Sequence, residues 1–342
     1  MKLARFVLRR VLLLVPVLLG ILVISFTLSR VVPSDPVKLA AGDHASEEMV
    51  EALRSQFGLD KSLPEQFVMY LTSVLRGDLG RSLTTRRSVA QDLARFYPAT
   101  LELVLVAMAV ALMVGIPAGV ISCRFANRWP DMLSRLFAFG LISVPGFWLA
   151  LIIQLFAGGI LGLLPIAGRF DPNVAPPETI TGLLLVDSLL RLDWSSFVIA
   201  LKYIILPAIA LSAPALATIT RMSRAGMIEA MRKDFVLTAR ASGLPETVIL
   251  IRHALRHALI PVLSMTGLSF TWAMAGSVLV ETIFSWPGVG YYVLEASLLL
   301  DYNPIMGVML VLGITCGVTN VIVDLGYAIV DPRIREGLMG QP

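Results

Sequence analysis

Three histidines, two cysteines and a handful of acids are what this 342-residue sequence offers for chemistry, and their spacing argues against most of it. His44, His253 and His257 lie outside the long apolar runs, whereas Cys123 and Cys316 lie inside them, far apart and in no CxxC pair. A zinc site or a disulfide framework needs clustered ligands, so neither is expected. A membrane-embedded protease or lipid transferase would need paired acids, or a Ser/Lys or His/Glu set, within the apolar runs, and the histidines are in the wrong places for it. No phosphate-cradling GxxxxGK(S/T) occurs, so a nucleotide that drives this protein must sit on another chain.

The elements that position these residues can be read from composition. Hydrophobic residues make up 56% of the chain and charged residues 15%, and the mean hydropathy is +0.80, which marks an integral membrane protein. The net charge of +4 is small and the basic residues sit beside apolar runs, so they serve membrane orientation and not nucleic-acid binding. A bilayer core of about 30 Å takes roughly 20 apolar residues per helix. Uncharged runs then give spans at Val11–Ser29, Leu103–Cys123, Ala258–Val280 and Tyr302–Val323. A further span covers Phe197–Thr220, with Lys202 near one end and Pro207 and Pro214 inside. The uncharged run Leu136–Ala167 is too long for one simple span; a helix to about Phe156 is expected, then a break at Gly158-Gly159 and an interfacial piece.

Six spans result, and the Lys/Arg distribution orients them. Basic residues gather before span 1, between spans 2 and 3 and between spans 4 and 5, which places both termini and residues 221–256 in the cytoplasm. The first span has the basic start of a signal peptide but no small-x-small cleavage site after it, so it is expected to be retained. The loop Arg30–Tyr97 falls outside. It reads as a small helical subdomain, with a helix capped by Ser46 (Glu47 and Glu48 in its first turn, Gly58 past its end), and a second presenting Leu63, Phe67, Tyr70, Leu71 and Val74 before Gly77. A third begins at Ser88 and leads to Pro98. The expected organisation is residues 1–29 as amino terminus and span 1, 30–97 as the external subdomain, and 98–342 as a core of five spans holding a cytoplasmic loop at 221–261.

That loop is a charged, helix-forming insert between two long apolar segments. Its basic residues are Arg221, Arg224, Arg232, Lys233, Arg240, Arg252 and Arg256. Helical pattern runs over Met227–Ser242, breaks at Gly243-Leu244-Pro245 and resumes over Glu246–Ala258, the grammar of two helices meeting at an elbow. Ala239, Ala241 and Ser242 are small enough for a partner to approach the backbone; a basic amphipathic segment lying on lipid is the other reading.

Glu281–Leu294 is apolar yet broken by Pro287, Gly288 and Gly290. Irregular backbone at membrane depth is tolerated where protein buries it or it lines a cavity, so this hairpin is read as part of an external gate; an aromatic interface belt of Trp286, Tyr291 and Tyr292 is the alternative. Span 5 carries Ser264, Thr266, Ser269, Thr271 and Ser277, which either pack helices or offer a peptide weak hydrogen-bond partners, and Met265, Phe270, Trp272 and Met274 can form an adaptable constriction. Glu102, Glu281 and Asp324 sit near span ends and are read as interfacial, with Glu281 also a gate candidate. No charge falls at the centre of spans 1, 2, 3, 5 or 6, which argues against a proton- or sodium-coupled carrier.

The stretch TARASGLPETVILIRHALRHALIPVLS at 238–264 resembles the cytoplasmic signature loop of ABC-importer permeases, in the branch that carries dipeptides, oligopeptides and nickel. RRVLLLVPVLLGILVISF at the start, GDLGRSL at 77–83, YPATLELVLVAMAVALMVGIPAGV at 97–120, SVPGFWLALIIQLFA at 143–157, ETIFSWPGVG at 281–290 and DYNPIMGVMLV at 301–311 extend the resemblance over nearly the whole chain. It implies a type I ABC-importer permease fold in a bacterial inner membrane. In that family the elbow is a coupling helix seated in a groove of the ATP-hydrolysing subunit. Thr238, Ala239 and Gly243 fall on the signature's Ala-Ala-x-x-x-Gly positions, so Thr238, Ala239, Arg240, Ala241, Ser242, Gly243, Leu244 and Pro245 are the implied docking residues. Leu237 stands where the wider pattern has Glu, and Ile260-Pro261 lies farther from the glycine than in that pattern. Pro261, at the foot of span 5, is expected to let the push tilt that span. The implied partners are a second, similar permease chain, one or two P-loop ATPase subunits holding ATP and Mg, and an extracytoplasmic binding protein docked over Arg30–Tyr97. This chain itself carries no cofactor or catalytic residue in that scheme. Short peptides are the first substrate class; nickel complexes, glutathione and muropeptides come next.

Overall fold

The computed structural model describes residues 2–31 and 60–330. The expected helix at Ser46–Gly58 lies outside the described residues. Apart from one isolated bridge between Arg81 and Ser88, every regular element among the described residues is helical. In hydrocarbon a helix satisfies its own backbone donors and acceptors, so long apolar runs have no alternative but this.

Among the described residues helix α1 (Lys2–Val31) is followed by α2 (Leu63–Leu75), which opens on a capping box between Ser62 and Glu65. Phe67 and Tyr70 of α2 lie on Phe26 of α1, with ring centroids 5.3 and 6.0 Å away. Leu63, expected on the same face, is exposed. Helix α3 (Val89–Arg124) starts where the Ser88 side chain accepts from the Gln91 N–H. It runs unbroken through Pro98, so the expected boundary between 97 and 98 falls inside one helix. At 36 residues it is about 54 Å long, well beyond a bilayer core.

Helices α4 (Trp129–Ser143) and α5 (Gly146–Ile153, extended by a π-helical turn over Gln154–Ile160) form a pair bent by 103°. The expected helix to Phe156 with a break at Gly158-Gly159 is therefore corrected: the break is at Val144-Pro145. Proline disfavours the helical region for the residue before it, and Val144 is extended at φ −94 and ψ 127. Beyond Ile160 an irregular loop leads to α6 (Leu184–Leu190).

Helix α7 (Trp194–Ala230) keeps both Pro207 and Pro214 within one continuous helix and forms the centre of the molecule. Small residues let its neighbours come close: a Cβ at Gly119 of α3 would lie 2.3 Å from Ser223 Cβ, and one at Gly226 of α7 would lie 3.1 Å from Ala258. After α7 the chain turns through 231–233 into α8 (Asp234–Ala241), so the helix expected over Met227–Ser242 is in fact two. Helix α9 (Glu246–Ile283) contains a π-helical segment at Ile249–Ala254 and holds Pro261 well inside it, not at its foot. α10 (Val289–Leu298) and α11 (Tyr302–Val330) complete the fold. α11 packs on α1, and Arg10 bridges to Asp324 at 3.0 Å. Among the described residues five helices are long and apolar enough to cross a membrane, six if the bent α4–α5 pair counts as one span.

Candidate functional site

Three regions collect the candidate residues: the elbow between α8 and α9, a groove along α9, and the hairpin between α9 and α10.

At the elbow, α8 ends in a Schellman arrangement. Gly243 takes φ +73, its N–H donates to the Arg240 carbonyl at 2.9 Å, and the Leu244 N–H reaches back to the Ala239 carbonyl at 3.2 Å. The left-handed conformation explains glycine at this point, and Pro245 caps the next helix with extended backbone. Arg240 and Glu246 close the elbow with a contact of 2.7 Å. Val236, Ala239 and Ile249 face inward and pack with Met231 and Phe235. Ala239 is thus a packing residue, and only its backbone is offered outward. Leu237, Thr238, Arg240, Ala241, Ser242, Gly243, Leu244 and Pro245 are exposed, and among the described residues a Cβ at Gly243 would meet nothing within 4 Å. The result is an open corner whose backbone and small side chains another protein can cover.

The groove of about 440 Å³ lies between α5, α7 and α9. Met265, Ser269 and Trp272 line it, together with Leu268, Gly276 and Leu279 of the same helix and Gly146 and Phe147 of α5. Phe270 and Met274 do not: they are buried on the other face of α9, in the main core. Of the hydroxyls expected along a pathway, only Ser269 from this helix reaches the groove. Thr266, Thr271 and Ser277 turn back onto the carbonyls of Val262, Gly267 and Met274 at 2.8, 3.2 and 3.0 Å. Among the described residues no charged side chain lines the groove.

At the hairpin, the interface-belt reading fails for Trp286 and Tyr292, which are 1% and 3% exposed. Trp286 Nε1 donates to the Ala99 carbonyl at 2.9 Å, and the Tyr292 hydroxyl donates to Asp92 at 3.0 Å. Burial, with Asp92 and Asp301 nearby, pushes the Tyr292 hydroxyl well above its usual range, so it remains a donor. Glu281 is not interfacial either. It is fully buried and accepts from the Thr100 hydroxyl at 2.6 Å and the Tyr291 N–H at 3.0 Å, while Thr100 Oγ1 accepts from the Val289 N–H at 2.8 Å. A Cβ at Gly288 would lie 2.4 Å from both Glu281 Oε2 and Thr100 Oγ1, which is why glycine stands there; Pro287 is at the exposed tip.

Glu102, also read as interfacial, is 4% exposed and grips Arg169 at 2.6 Å; Arg169 also donates to the Gly182 carbonyl at 2.7 Å and lies 5.8 Å from the Trp286 ring centre. The loop carrying Arg169 is itself fixed by Asp187. Burial opposes the charge of that carboxyl, but Thr181 and the N–H groups of Ile180 and Gly182 outweigh it and hold it below the usual carboxylate range. Polar contacts therefore tie the start of α3, the α5–α6 loop and the hairpin together.

Over residues 3–104 and 103–336 the sequence matches the two parts of one family, described as the N-terminal part and the main part of the binding-protein-dependent transport system inner membrane component. The chain belongs to this family. It is a permease subunit of an ABC importer, a transport protein and not an enzyme, and a multi-pass protein of the bacterial inner membrane. The permease is 43% identical to the probable D,D-dipeptide transport system permease protein DdpB of Escherichia coli K12, over 95% of each chain. It is 40% identical to the di/tripeptide transport system permease protein DppB of Pseudomonas aeruginosa UCBPP-PA14, over 97% of this chain and 98% of that one. It is 36% identical to the glutathione transport system permease protein GsiC of E. coli O6:H1, over 96% and 98%. Among solved structures, the MetNI methionine ABC transporter superposes with a TM-score of 0.53 at 17% identity, over 70% of the permease and 96% of that chain, a likeness of fold.

Proposed function

We propose that this permease forms half of a translocation pathway for short peptides delivered by an extracytoplasmic binding protein. The full-length match to permeases named for dipeptides and tripeptides carries the substrate class. The uncharged groove along α9 fits it: apolar walls with the Ser269 hydroxyl, and with Thr218 of α7 whose hydroxyl donates to the Pro214 carbonyl at 2.9 Å and keeps only its oxygen to offer, give passing amides partners weak enough to release them. The 36% identity to a glutathione permease supports glutathione, itself a small peptide, as the second reading.

In this reading the pair α4–α5 is one bent span, six spans cross the bilayer, and both termini and the α8–α9 elbow are cytoplasmic, as the Lys/Arg distribution directs. Residues 1–29, 30–97 and 98–342 serve as first span, external platform and pathway core, with α3 continuous across the last boundary. Thr238 to Pro245 dock a separate P-loop ATPase, which holds the ATP and Mg; the groove faces a second, similar permease chain. The π-helical segment and Pro261 supply the weak points at which α9 bends when the elbow is moved. The hairpin network closes the opposite end.

Copurification of the cognate binding protein, with mass spectrometry of its bound ligand, tests the substrate class. A ligand of two to several amino-acid residues is expected, and a ligand without a peptide bond would overturn the proposal.

A further inference from the structure

Asp131 is an acid with no solvent exposure, in the first turn of α4 at the elbow end of the molecule. Arg224 of α7 grips it with both arms of its fork, Nε to Oδ1 at 2.6 Å and Nη2 to Oδ2 at 2.9 Å. The Ser122 hydroxyl, at the end of α3, also donates to Oδ1, and the Asn127 N–H donates to Oδ2 at 2.9 Å. Arg135, one turn further along α4, stands 3.7 Å away. Four segments of the chain thus meet on one carboxylate.

Each side of this joint leads somewhere. Arg224 lies on the last turns of α7 before the elbow, where Met227 and Ala230 pack with Leu250 and Ala254 of the π-helical segment and with Cys123 of α3. Asp131 lies at one end of α4; at the other end, across the bend, Gly146 and Phe147 form a wall of the groove. Beyond Asp131, Ala138 is the buried residue of α4 among the described residues, so few other side chains hold it to α3 and α7. A bidentate pair fixes both distance and angle, and burial keeps it unscreened.

We propose that Asp131 is a positioning residue that makes α4 follow α7, so that movement of the elbow reaches Phe147 in the groove wall. This rests on the elbow being the ATPase docking point. Asp131 has no part in the reaction or in substrate contact.

The experiment uses the complete transporter, with its ATPase subunits, in proteoliposomes, and carries Cys123→Ala and Cys316→Ala to remove native thiols. Phe147→Cys is then labelled with a maleimide, with and without a non-hydrolysable ATP analogue. With Asp131 intact the nucleotide is expected to change the labelling rate by at least about five-fold, the range of ordinary inter-site coupling. In Asp131→Asn, compared at equal amounts of assembled complex, the change should shrink to less than about two-fold. Arg224→Lys keeps the charge and loses the fork, and should fall between the two; it carries the test if Asp131→Asn fails to assemble. A nucleotide response retained in full by either variant at equal assembly overturns the proposal, because a merely structural role would lower assembly and not the response. A complex that assembles but shows no response with Asp131 intact would contradict the elbow reading as well, a result distinct from a response that survives Asp131→Asn.

Discussion

Gly243→Trp is expected to leave the permease inserted and folded while abolishing both ATPase association and uptake. Among the described residues nothing lies within 4 Å of a Cβ at that position, so the fold has room for the indole. The backbone at φ +73 adds a strain of about 1–2 kcal/mol for any side chain, alanine as much as tryptophan. The damage falls instead on a partner that must cover the corner. An indole wedged into a close interface weakens association by ~100-fold or more, roughly 2.7 kcal/mol. Gly243→Ala supplies the control, since it carries the strain without the bulk and should retain most of the association. Affinity capture of the ATPase by the purified permease, with uptake in the same cells, checks both. Wild-type association by Gly243→Trp would show that the corner is not covered.

Glu281→Ala is expected to loosen the opposite end. The change leaves the Thr100 hydroxyl and the Tyr291 N–H without their acceptor inside a closed hairpin, and opens a cavity beside Gly288. Unsatisfied buried donors cost about 1–3 kcal/mol each, so a loss of about 2–4 kcal/mol remains after partial relaxation. The purified permease should melt several degrees lower, and a thiol probe should reach Trp286→Cys, otherwise buried. Glu281→Gln keeps an oxygen for the Tyr291 N–H but turns an amide donor toward Thr100, whose oxygen already accepts from Val289, so its loss should be intermediate. Unchanged melting in both variants would mean that the carboxylate does not hold the hairpin.

These two sites are unequally legible in the sequence. The elbow is readable because its signals are local: a glycine that must turn left-handed, a proline that starts the next helix, small residues beside them. Even there Ala239 reads as one of the exposed residues, although Val236, Ala239 and Ile249 form one inward face. Glu102 and Glu281 look interfacial because their partners are remote. Arg169 is 67 residues from Glu102, and Thr100 is 181 residues from Glu281, so only the folded chain brings them together.

Along the groove the limit is of another kind. Met265, Ser269 and Trp272 keep helical spacing along one stripe, and Phe270 and Met274 keep it along another. Periodicity alone separates the two stripes; it does not tell which one faces the open groove. The bend at Val144-Pro145 is hidden because an uncharged run gives no end to a span, and the glycine pair farther on draws the break away from the proline that makes it. Glycine permits a bend, but proline together with an extended residue before it imposes one.

On the proposed reading, the coupling of this permease to ATP depends above all on what covers Ala241, Ser242 and Gly243. Ser242→Cys, exposed in the permease alone, can be cross-linked with a short bifunctional reagent in the assembled transporter, again without Cys123 and Cys316. A product with the ATPase subunit is predicted, formed in membranes and lost when that subunit is omitted. Cross-linking to lipid or to the second permease chain alone, with the ATPase captured elsewhere on the molecule, would contradict the docking of the ATPase at the elbow.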